Sequence, residues 1–169
     1  VVLLSIYSFL LQIGARYIQN YSLLDEVCLT EIALIVKRSF SFTYEDWLLS
    51  AEYVMAGGNK QVILCERGVR TFETFTRNTM DITAIPVIHK LSHLPIVADP
   101  SHGTGKWYLV SPIAAASVAA GADGLIIEVH PNPDTAKSDG AQSLTPENFA
   151  SLMKQVTSIR ISILDDPVV

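Results

Sequence analysis

The sequence predicts an α/β fold built on a parallel sheet, and three observations support that prediction. Five short apolar runs, mostly rich in Val, Ile and Leu, recur along the chain and have the character of strands buried on both faces. Helical patterns lie between them. Each run also ends in polar residues, as strands do where parallel α/β enzymes build their active sites. A chain of 169 residues can form one domain with a core, so we expect a single domain over residues 1–169.

The predicted strands are the five apolar runs: Phe9–Ile13, Ile32–Val36, Val62–Cys65, Ile96–Ala98 and Leu125–Ile127. The apolar start, VVLLSIYSFLLQI, lacks a basic leader and a cleavage site and is too short to span a bilayer, so we interpret it as core. Five βα units are too few to close an eight-stranded barrel, and a free chain would expose both sheet edges. That favours a homo-oligomer or a complementary chain as partner.

Two helices are predicted in the first half of the chain from their end signals. Thr43 and Asp46 form a capping-box pattern that begins a helix, and Gly57 is placed to end it. Thr71 can cap a further helix that begins at Phe72.

Two helices are predicted in the second half by the same reasoning. Pro112 suits the first turn of an alanine-rich helix that ends at Gly121. Thr145 opens a last helix, which we expect to run to about Val156. The tail over residues 158–169 alternates only weakly, and it carries no assignment.

The composition narrows the classes of partner. Hydrophobic residues make up 49% of the chain and charged residues 17%, which favours doubly buried strands or a surface that needs a partner. The net charge of −5 argues against nucleic acid, but it leaves small anionic substrates open. No membrane partner is expected. Cys28 and Cys65 lie far apart and are expected to be buried free thiols, which fits a reducing, cytoplasmic setting.

The ends of the first three predicted strands are cationic. Arg16, Lys37 and Arg67 each follow one of these strands. Converging on one mouth, they would bind a phosphate and a carboxylate, since guanidinium groups bind both bidentately. A single such residue is most often a solvated loop charge, but three in succession favour a site. A structural alternative for Glu66 is that it simply pairs with Arg67 or Arg70.

The next two strand ends carry groups that can bind a metal. His102 follows the fourth run, Glu128 and His130 follow the fifth, and Asp139 lies in a later loop that reaches back over the same face. Imidazole and carboxylate together suit a divalent metal ion. Two alternatives stay open, because His130 could be a packing or supporting group and Asp99 could simply cap a turn.

Seven strings in the sequence carry a family resemblance. They are QIGAR (12–16), VKR (36–38), EDWLLSAEYVMAGGN (45–59), VILCERGVRTFE (62–73), DPSHGTG (99–105), GADGLIIEVHPNP (121–133) and SDGAQSL (138–144). With these strings the chain resembles the 3-deoxy-D-arabino-heptulosonate-7-phosphate (DAHP) synthases over residues 10–157. The resemblance implies a (β/α)8 barrel of the TIM type, of which about the last five βα units are present.

The resemblance also implies an activity and the residues that support it. The family condenses phosphoenolpyruvate with erythrose 4-phosphate at the entry to the shikimate pathway of aromatic amino acid biosynthesis. By match, Arg16, Lys37 and Arg67 would bind phosphoenolpyruvate. A divalent ion, Mn²⁺ or similar, would have three ligands here: His102, Glu128 and Asp139. Among these residues Lys37 and His102 are the expected catalytic ones.

The chain also departs from the family pattern. The family carries a metal-binding Cys and a Lys-Pro-Arg-Thr segment in its first three strands, and neither occurs here. Lys106, Trp107 and Tyr108 stand where two basic residues and an Asp are common. An alternative is therefore a truncated, non-catalytic barrel fragment that binds metal, phosphoenolpyruvate or a complementary chain. A lesser alternative is a 3-deoxy-octulosonate 8-phosphate or sialic acid synthase.

Overall fold

A parallel sheet of five strands, in sequential order, organises the chain. The computed structural model describes residues 8–165, so most of the apolar start and the last four residues lie outside the described part. The strands are β1 (Leu10–Ile13), β2 (Ala33–Lys37), β3 (Val62–Glu66), β4 (Ile96–Ala98) and β5 (Gly124–Leu125). The first four predicted strands are confirmed to within one residue at each end. Strand β5 begins one residue before the predicted run Leu125–Ile127 and shares only Leu125 with it.

The central strands are apolar because both faces of the sheet are covered there, with Ile35 and Cys65 buried on one face and Leu34 and Leu64 on the other. Leu34 pairs with Val62 across β2 and β3, and Leu64 pairs with Ile96 across β3 and β4. Leu34, Leu64 and Ile96 are fully buried. Because the strands are parallel, their carboxyl ends meet at one edge of the sheet, where the functional loops emerge.

Six helices flank the sheet in the described residues. They are α1 (Tyr21–Cys28), α2 (Tyr44–Ala56), α3 (Ala84–Leu91), α4 (Pro100–Thr104), α5 (Trp107–Ala119) and α6 (Pro146–Asp165). Two 3₁₀ turns, Pro133–Thr135 and Gly140–Gln142, lie between β5 and α6. No helix within residues 8–165 combines the length and apolar character needed to cross a membrane.

Helix α2 begins and ends as predicted. The Thr43 amide donates to Asp46 Oδ2 at 3.0 Å, and the Asp46 amide donates to Thr43 Oγ1 at 3.1 Å. Gly57 caps the other end. Trp47 is fully buried, and its Nε1 donates to the Val36 carbonyl at 3.0 Å, which fixes α2 against β2.

The predicted helix beginning at Phe72 is wrong. This segment is an irregular loop between β3 and α3. Thr71 Oγ1 accepts from the Glu73 amide at 3.2 Å, and Glu73 Oε1 accepts from the amides of Thr74 and Phe75, each at 2.8 Å. These side chains satisfy local amides that a helix would need, and so compete with helix formation.

The start of α5 differs from the prediction, while its end does not. The helix begins at Trp107, so Pro112 lies in its interior instead of its first turn. Proline has no amide hydrogen, and the helix therefore lacks one hydrogen bond there. Gly121 follows the last turn, and its amide donates to the Val118 carbonyl at 3.0 Å, as expected for a helix end.

Two hydrophobic cores result from this arrangement. The larger lies between the sheet and α1, α2 and α3, and it contains the buried thiol of Cys28. The smaller joins α5 and α6 through Val110, Leu152 and Val156. Helix α6 begins at Pro146 as predicted but continues to Asp165, well beyond Val156. Its first half packs on α5.

Candidate active site at the carboxyl edge of the sheet

The three cationic strand ends line one cavity. Arg16, Lys37 and Arg67 surround a space of about 150 Å³ at the carboxyl edge of the sheet, and Arg77 and His102 complete its wall. The parallel order of the strands brings these residues together, since each follows the end of a strand or lies in a loop at that edge. A cavity with this much positive charge suits an anion that carries phosphate or carboxylate groups.

Arg67 is the most exceptional cation of this cavity. Its guanidinium stacks on the Phe40 ring at 4.8 Å from the centroid, and the residue is only 4% exposed. Its Nη1 is buried and has no hydrogen-bond partner among the described residues. Burial lowers the pKa of Arg67, while Asp99 opposes this shift and Arg77 adds to it. Because a buried, unsatisfied donor is costly, the position favours an anionic ligand that accepts from it.

A buried carboxylate links the cation site to the imidazole beside it. Asp99 is fully buried, and its Oδ2 accepts from Lys37 Nζ at 2.9 Å and lies 2.8 Å from His102 Nδ1. Asp99 also caps α4, as its Oδ1 accepts from the His102 amide at 3.0 Å. The turn cap that the sequence allowed is thus present, and the same carboxylate also orients two site residues.

The electrostatics of this triad follow from its hydrogen bonds. Burial alone would raise the pKa of Asp99, but the hydrogen bond with His102 and the charge of Lys37 outweigh it, so the pKa lies below its usual value. An ionised Asp99 only accepts hydrogen bonds, which places a proton on Nδ1 of His102. In the neutral ring, Nε2 is then free to accept a proton or bind a metal ion.

The expected metal ligands are only partly assembled. His102 Nε2 lies 3.7 Å from Glu128 Oε1, and the Glu128 amide donates to Ser101 Oγ at 3.0 Å, which fixes the Glu128 backbone against α4. The Asp139 carboxylate instead pairs with Arg77, with 3.0 Å between Oδ1 and Nη1. Within residues 8–165 no three His, Cys, Asp or Glu side chains are arranged to hold a metal ion. The donor chemistry nonetheless fits a divalent cation.

His130 serves the local backbone. Its Nδ1 accepts from the Asn132 amide at 3.1 Å, and the His130 amide donates to the Leu144 carbonyl at 2.9 Å. These contacts favour the packing alternative over a metal-binding role, because one ring nitrogen is already used to shape the loop.

Glu66 pairs with Arg38 and not with Arg67 or Arg70, so the alternative that the sequence left open for Glu66 does not hold. Its Oε2 accepts from Arg38 Nη1 at 2.9 Å, and the same Nη1 donates to Asp81 at 2.8 Å. Glu66 lies at the end of β3 and Arg38 follows the end of β2, so the pairing runs across neighbouring strands. Sequence proximity to Arg67 could not reveal it.

Arg77 is the site residue that sequence reasoning missed, because it lies within a loop and follows no strand. Its backbone is anchored to the last residue of α4, since its amide donates to the Thr104 carbonyl at 2.9 Å. A Cβ on Gly105 would lie 2.5 Å from Arg77 Cβ, and one on Gly68 would lie 2.7 Å from Asn78 Cβ. Both glycines also have positive φ, +69° and +87°, so these loops approach each other only with glycine there. The signal in the sequence is the pair of glycines.

The fold and the cavity together define the class of protein. Parallel βα units with an anion-binding cavity at the carboxyl edge form an α/β architecture of the TIM-barrel type, here with five strands. The chain belongs to the DAHP synthetase I family, which matches residues 3–162.

Relatives agree with this placement. The chain is 50% identical over 153 residues to a phospho-2-dehydro-3-deoxyheptonate aldolase of Thermotoga maritima, covering 90% of this chain and 45% of the relative. It is 30% identical over 167 residues to a 2-dehydro-3-deoxyphosphooctonate aldolase of Syntrophobacter fumaroxidans, covering 92% of this chain and 57% of the relative. The chain thus spans about half the length of these curated relatives.

A solved structure shares the fold closely. A truncated form of 3-deoxy-D-arabino-heptulosonate 7-phosphate synthase from Thermotoga maritima superposes with a TM-score of 0.93 at 48% identity, covering 94% of this chain and 61% of that one. The five βα units therefore match a part of that barrel.

Proposed function

We propose that this protein catalyses the condensation of phosphoenolpyruvate and water with erythrose 4-phosphate to 3-deoxy-D-arabino-heptulosonate 7-phosphate and phosphate, the first step of the shikimate pathway. The observation that carries the proposal is the unsatisfied Nη1 of Arg67 in a cavity lined by cations, beside the pair of His102 and Glu128. Family membership supports the same chemistry.

The three cations that follow strands each have a role in holding phosphoenolpyruvate. Arg16 and Arg67 bind its phosphate and carboxylate oxygens through their guanidinium groups. Lys37 Nζ donates to Asp99 at 2.9 Å, and this contact fixes the direction in which its ammonium faces the substrate. These contacts hold the enol with its methylene carbon available to attack an aldehyde, and they place positive charge near the leaving phosphate.

A divalent cation, Mn²⁺ or similar, would be held by His102 and Glu128, with Asp139 as third ligand. Asp99 fixes the His102 ring so that its Nε2 faces Glu128. When bound, such an ion supplies polarisation of the aldehyde carbonyl of erythrose 4-phosphate.

The direct test is an activity assay of the purified chain. We expect phosphoenolpyruvate to disappear, and inorganic phosphate to appear, only when both erythrose 4-phosphate and Mn²⁺ are present. Phosphorus NMR follows both species in one sample, and omission of the sugar phosphate is the control. Phosphoenolpyruvate that persists unchanged with both present contradicts the catalytic proposal.

A second candidate, a non-catalytic barrel fragment, is favoured by one observation. No complete three-ligand metal group occurs among the described residues 8–165. Calorimetric binding of phosphoenolpyruvate without turnover would identify this function. Turnover with a five-carbon sugar phosphate in place of the four-carbon one would instead identify the octulosonate chemistry, in line with the Syntrophobacter relative.

The proposal extends to compartment and assembly. Cys28 and Cys65 are both unpaired and buried, and burial raises the pKa of the Cys65 thiol, which supports a reducing, cytoplasmic location. The two outer strands, β1 and β5, each have one neighbour in the described sheet. Further copies of the chain or a complementary chain would cover these edges.

A further inference from the structure

Arg77 is placed between two sites of opposite charge. It lines the cation-rich cavity together with Arg16, Lys37 and Arg67. Its Nη1, however, donates to Asp139 Oδ1 at 3.0 Å and to Gln142 Oε1 at 2.8 Å, in the loop that carries the expected metal ligand. One guanidinium thus borders the anion cavity while it occupies the carboxylate that a cation would need.

The backbone of Arg77 is fixed, but its side chain has room to move. The Arg77 amide is bonded to the Thr104 carbonyl, and the adjacent Asn78 amide donates to the Gly103 carbonyl at 3.0 Å. By contrast, 41% of the Arg77 side chain is exposed, and every hydrogen bond found for its guanidinium among residues 8–165 uses Nη1. A rotamer change can therefore redirect the guanidinium without moving the loop.

The loop holds Asp139 firmly in place. Asp139 has φ +54°, which makes it the one non-glycine residue with positive φ in the part of the chain that the structure describes. Its carbonyl accepts from Ser143 Oγ at 2.9 Å and from the Gln142 amide at 3.2 Å. The backbone of Asp139 is therefore fixed, and its carboxylate lies beside Arg77, where either Arg77 or a cation can occupy it.

The charge of the substrate explains why a further cation is needed. Phosphoenolpyruvate carries a phosphate and a carboxylate, close to three negative charges at neutral pH. Of the three predicted cations, Lys37 already faces the ionised Asp99 at 2.9 Å. Arg77 lies close enough to Arg67 that its charge contributes to the lowered pKa of Arg67. A guanidinium turned toward the cavity would supply the missing positive charge.

We propose that Arg77 is a substrate-binding residue held in reserve by Asp139 and Gln142, and that a divalent cation at Asp139 releases it to the phosphate and carboxylate of the bound anion. The inference rests on the proposed function. It makes the cation and anion sites cooperative, and by reciprocity the anion also tightens cation binding, because it retains Arg77 in the cavity.

A double-mutant cycle in the absence of metal tests the exchange. The native chain, Arg77→Met, Asp139→Asn and the double variant are treated with a chelator and titrated calorimetrically with phosphoenolpyruvate. We expect Asp139→Asn to tighten binding by about fivefold or more in the native background, because it frees Arg77. In the Arg77→Met background the same change should alter binding by less than about twofold, the residual effect of removing one exposed negative charge.

If Asp139→Asn changes phosphoenolpyruvate affinity by the same factor in both backgrounds, the proposed exchange of Arg77 is wrong, while the proposed function still stands. No phosphoenolpyruvate binding by any of the four proteins would overturn both. Each variant is checked by thermal unfolding, and since the Arg77–Asp139 pair is more than one-third exposed on both sides, its loss should leave the fold intact.

A measurement on the cation gives an independent readout. The affinity for Mn²⁺, followed by the electron paramagnetic resonance signal of the free ion, should rise about fivefold or more in the native chain when phosphoenolpyruvate is added. Arg77→Met should lose most of this enhancement. Arg70→Met is the matched control, because Arg70 stacks on Phe40 at 5.0 Å but does not line the cavity, and it should keep the enhancement. An enhancement unchanged in Arg77→Met contradicts the inference.

Discussion

Arg38 and Arg67 occupy equivalent positions in the fold yet have opposite surroundings. Each follows a strand at the carboxyl edge, and they are 6% and 4% exposed. Each guanidinium also stacks on an aromatic ring, Arg38 on Tyr44 at 4.7 Å and Arg67 on Phe40 at 4.8 Å from the centroid. Burial and stacking therefore do not distinguish them.

The hydrogen-bond partners of Arg38 and Arg67 do distinguish the two residues. Arg38 donates to Glu66, Asp81 and the Phe42 carbonyl, whereas Arg67 Nη1 has no partner among the described residues. Burial lowers the pKa of either arginine, but in Arg38 the carboxylates outweigh burial and raise its pKa, while in Arg67 burial dominates. A buried cation that the protein satisfies contributes to the fold, and one left unsatisfied is available to a ligand. Four predictions test this distinction.

The largest effect is expected for Arg38→Met. The substitution leaves Glu66 buried without its cation, which should lower the free energy of unfolding by about 3–5 kcal/mol. Arg67→Met removes a charge that no side chain within residues 8–165 pairs with, so the free energy of unfolding should change by less than about 1 kcal/mol. Urea denaturation followed by circular dichroism measures both, and equal losses would abolish the distinction.

A second prediction compares two imidazole–carboxylate pairs. His102→Ala should weaken Mn²⁺ binding by about a hundredfold or more, since it removes a nitrogen ligand at the site. His89→Ala is the control, because His89 Nε2 pairs with Asp123 at 3.0 Å outside the cation cavity and should leave Mn²⁺ affinity unchanged. Titration calorimetry with Mn²⁺ compares them, and an unaltered affinity in His102→Ala refutes its role as a ligand.

The third prediction concerns the ligand that Arg67 awaits. Arg67→Met should raise the dissociation constant of phosphoenolpyruvate by about tenfold to a hundredfold, the effect of losing hydrogen bonds to a charged group. Arg70→Met removes a charge that stacks on the same ring, Phe40, but lies outside the cavity lining, and it should change the constant by less than about threefold. Calorimetry measures the dissociation constant of phosphoenolpyruvate in both variants. An unchanged constant in Arg67→Met would show that other residues bind the anion.

The smallest effect is a pH dependence with two opposing contributions. Burial raises the pKa of Glu66, although Arg38 opposes the shift, so the folded chain protonates Glu66 more readily than the unfolded chain. The Glu66 contribution to stability is therefore lost as the pH rises through its folded pKa. The pKa of Asp99 is lowered, so its contribution is present above the unfolded pKa of about 3.9 and lost as the pH falls through the folded pKa.

Denaturation between about pH 7 and pH 3 separates the two carboxyls. Glu66→Gln should remove the gain in stability on acidification toward its unfolded pKa, and Asp99→Asn should remove the loss below about pH 4. Profiles that keep the native slopes in both variants would show that other groups control the pH dependence.

Repeating local signals made most of the fold predictable. The five apolar runs have the composition of buried strands, and the capping residues around Thr43 and Gly121 act within one turn. The same locality explains the failures. At Phe72 the sequence carries a helix signal, but no helix forms because the Glu73 side chain accepts hydrogen bonds from two loop amides. Helix α6 continues beyond Val156 because the weakly alternating sequence that follows, up to Asp165, contains no residue that ends a helix.

The site was predictable where it followed strand ends and not elsewhere. Arg16, Lys37 and Arg67 meet in one cavity because parallel strands end at one edge. Glu66 pairs with Arg38 of the neighbouring strand end, and Arg77 lines the cavity from within a loop. Such contacts join residues far apart in the sequence, so one sequence alone gives no direct sign of them.

Gly68 and Gly105 set a limit on how this site can change. Any side chain at either position would collide with the loop that carries Arg77 and Asn78, and both backbones have positive φ. In a library of all single substitutions selected for anion binding, these two positions should be as depleted as Arg67, although neither glycine touches a ligand. A designer altering substrate preference should therefore vary the side chains around the cavity and keep both glycines.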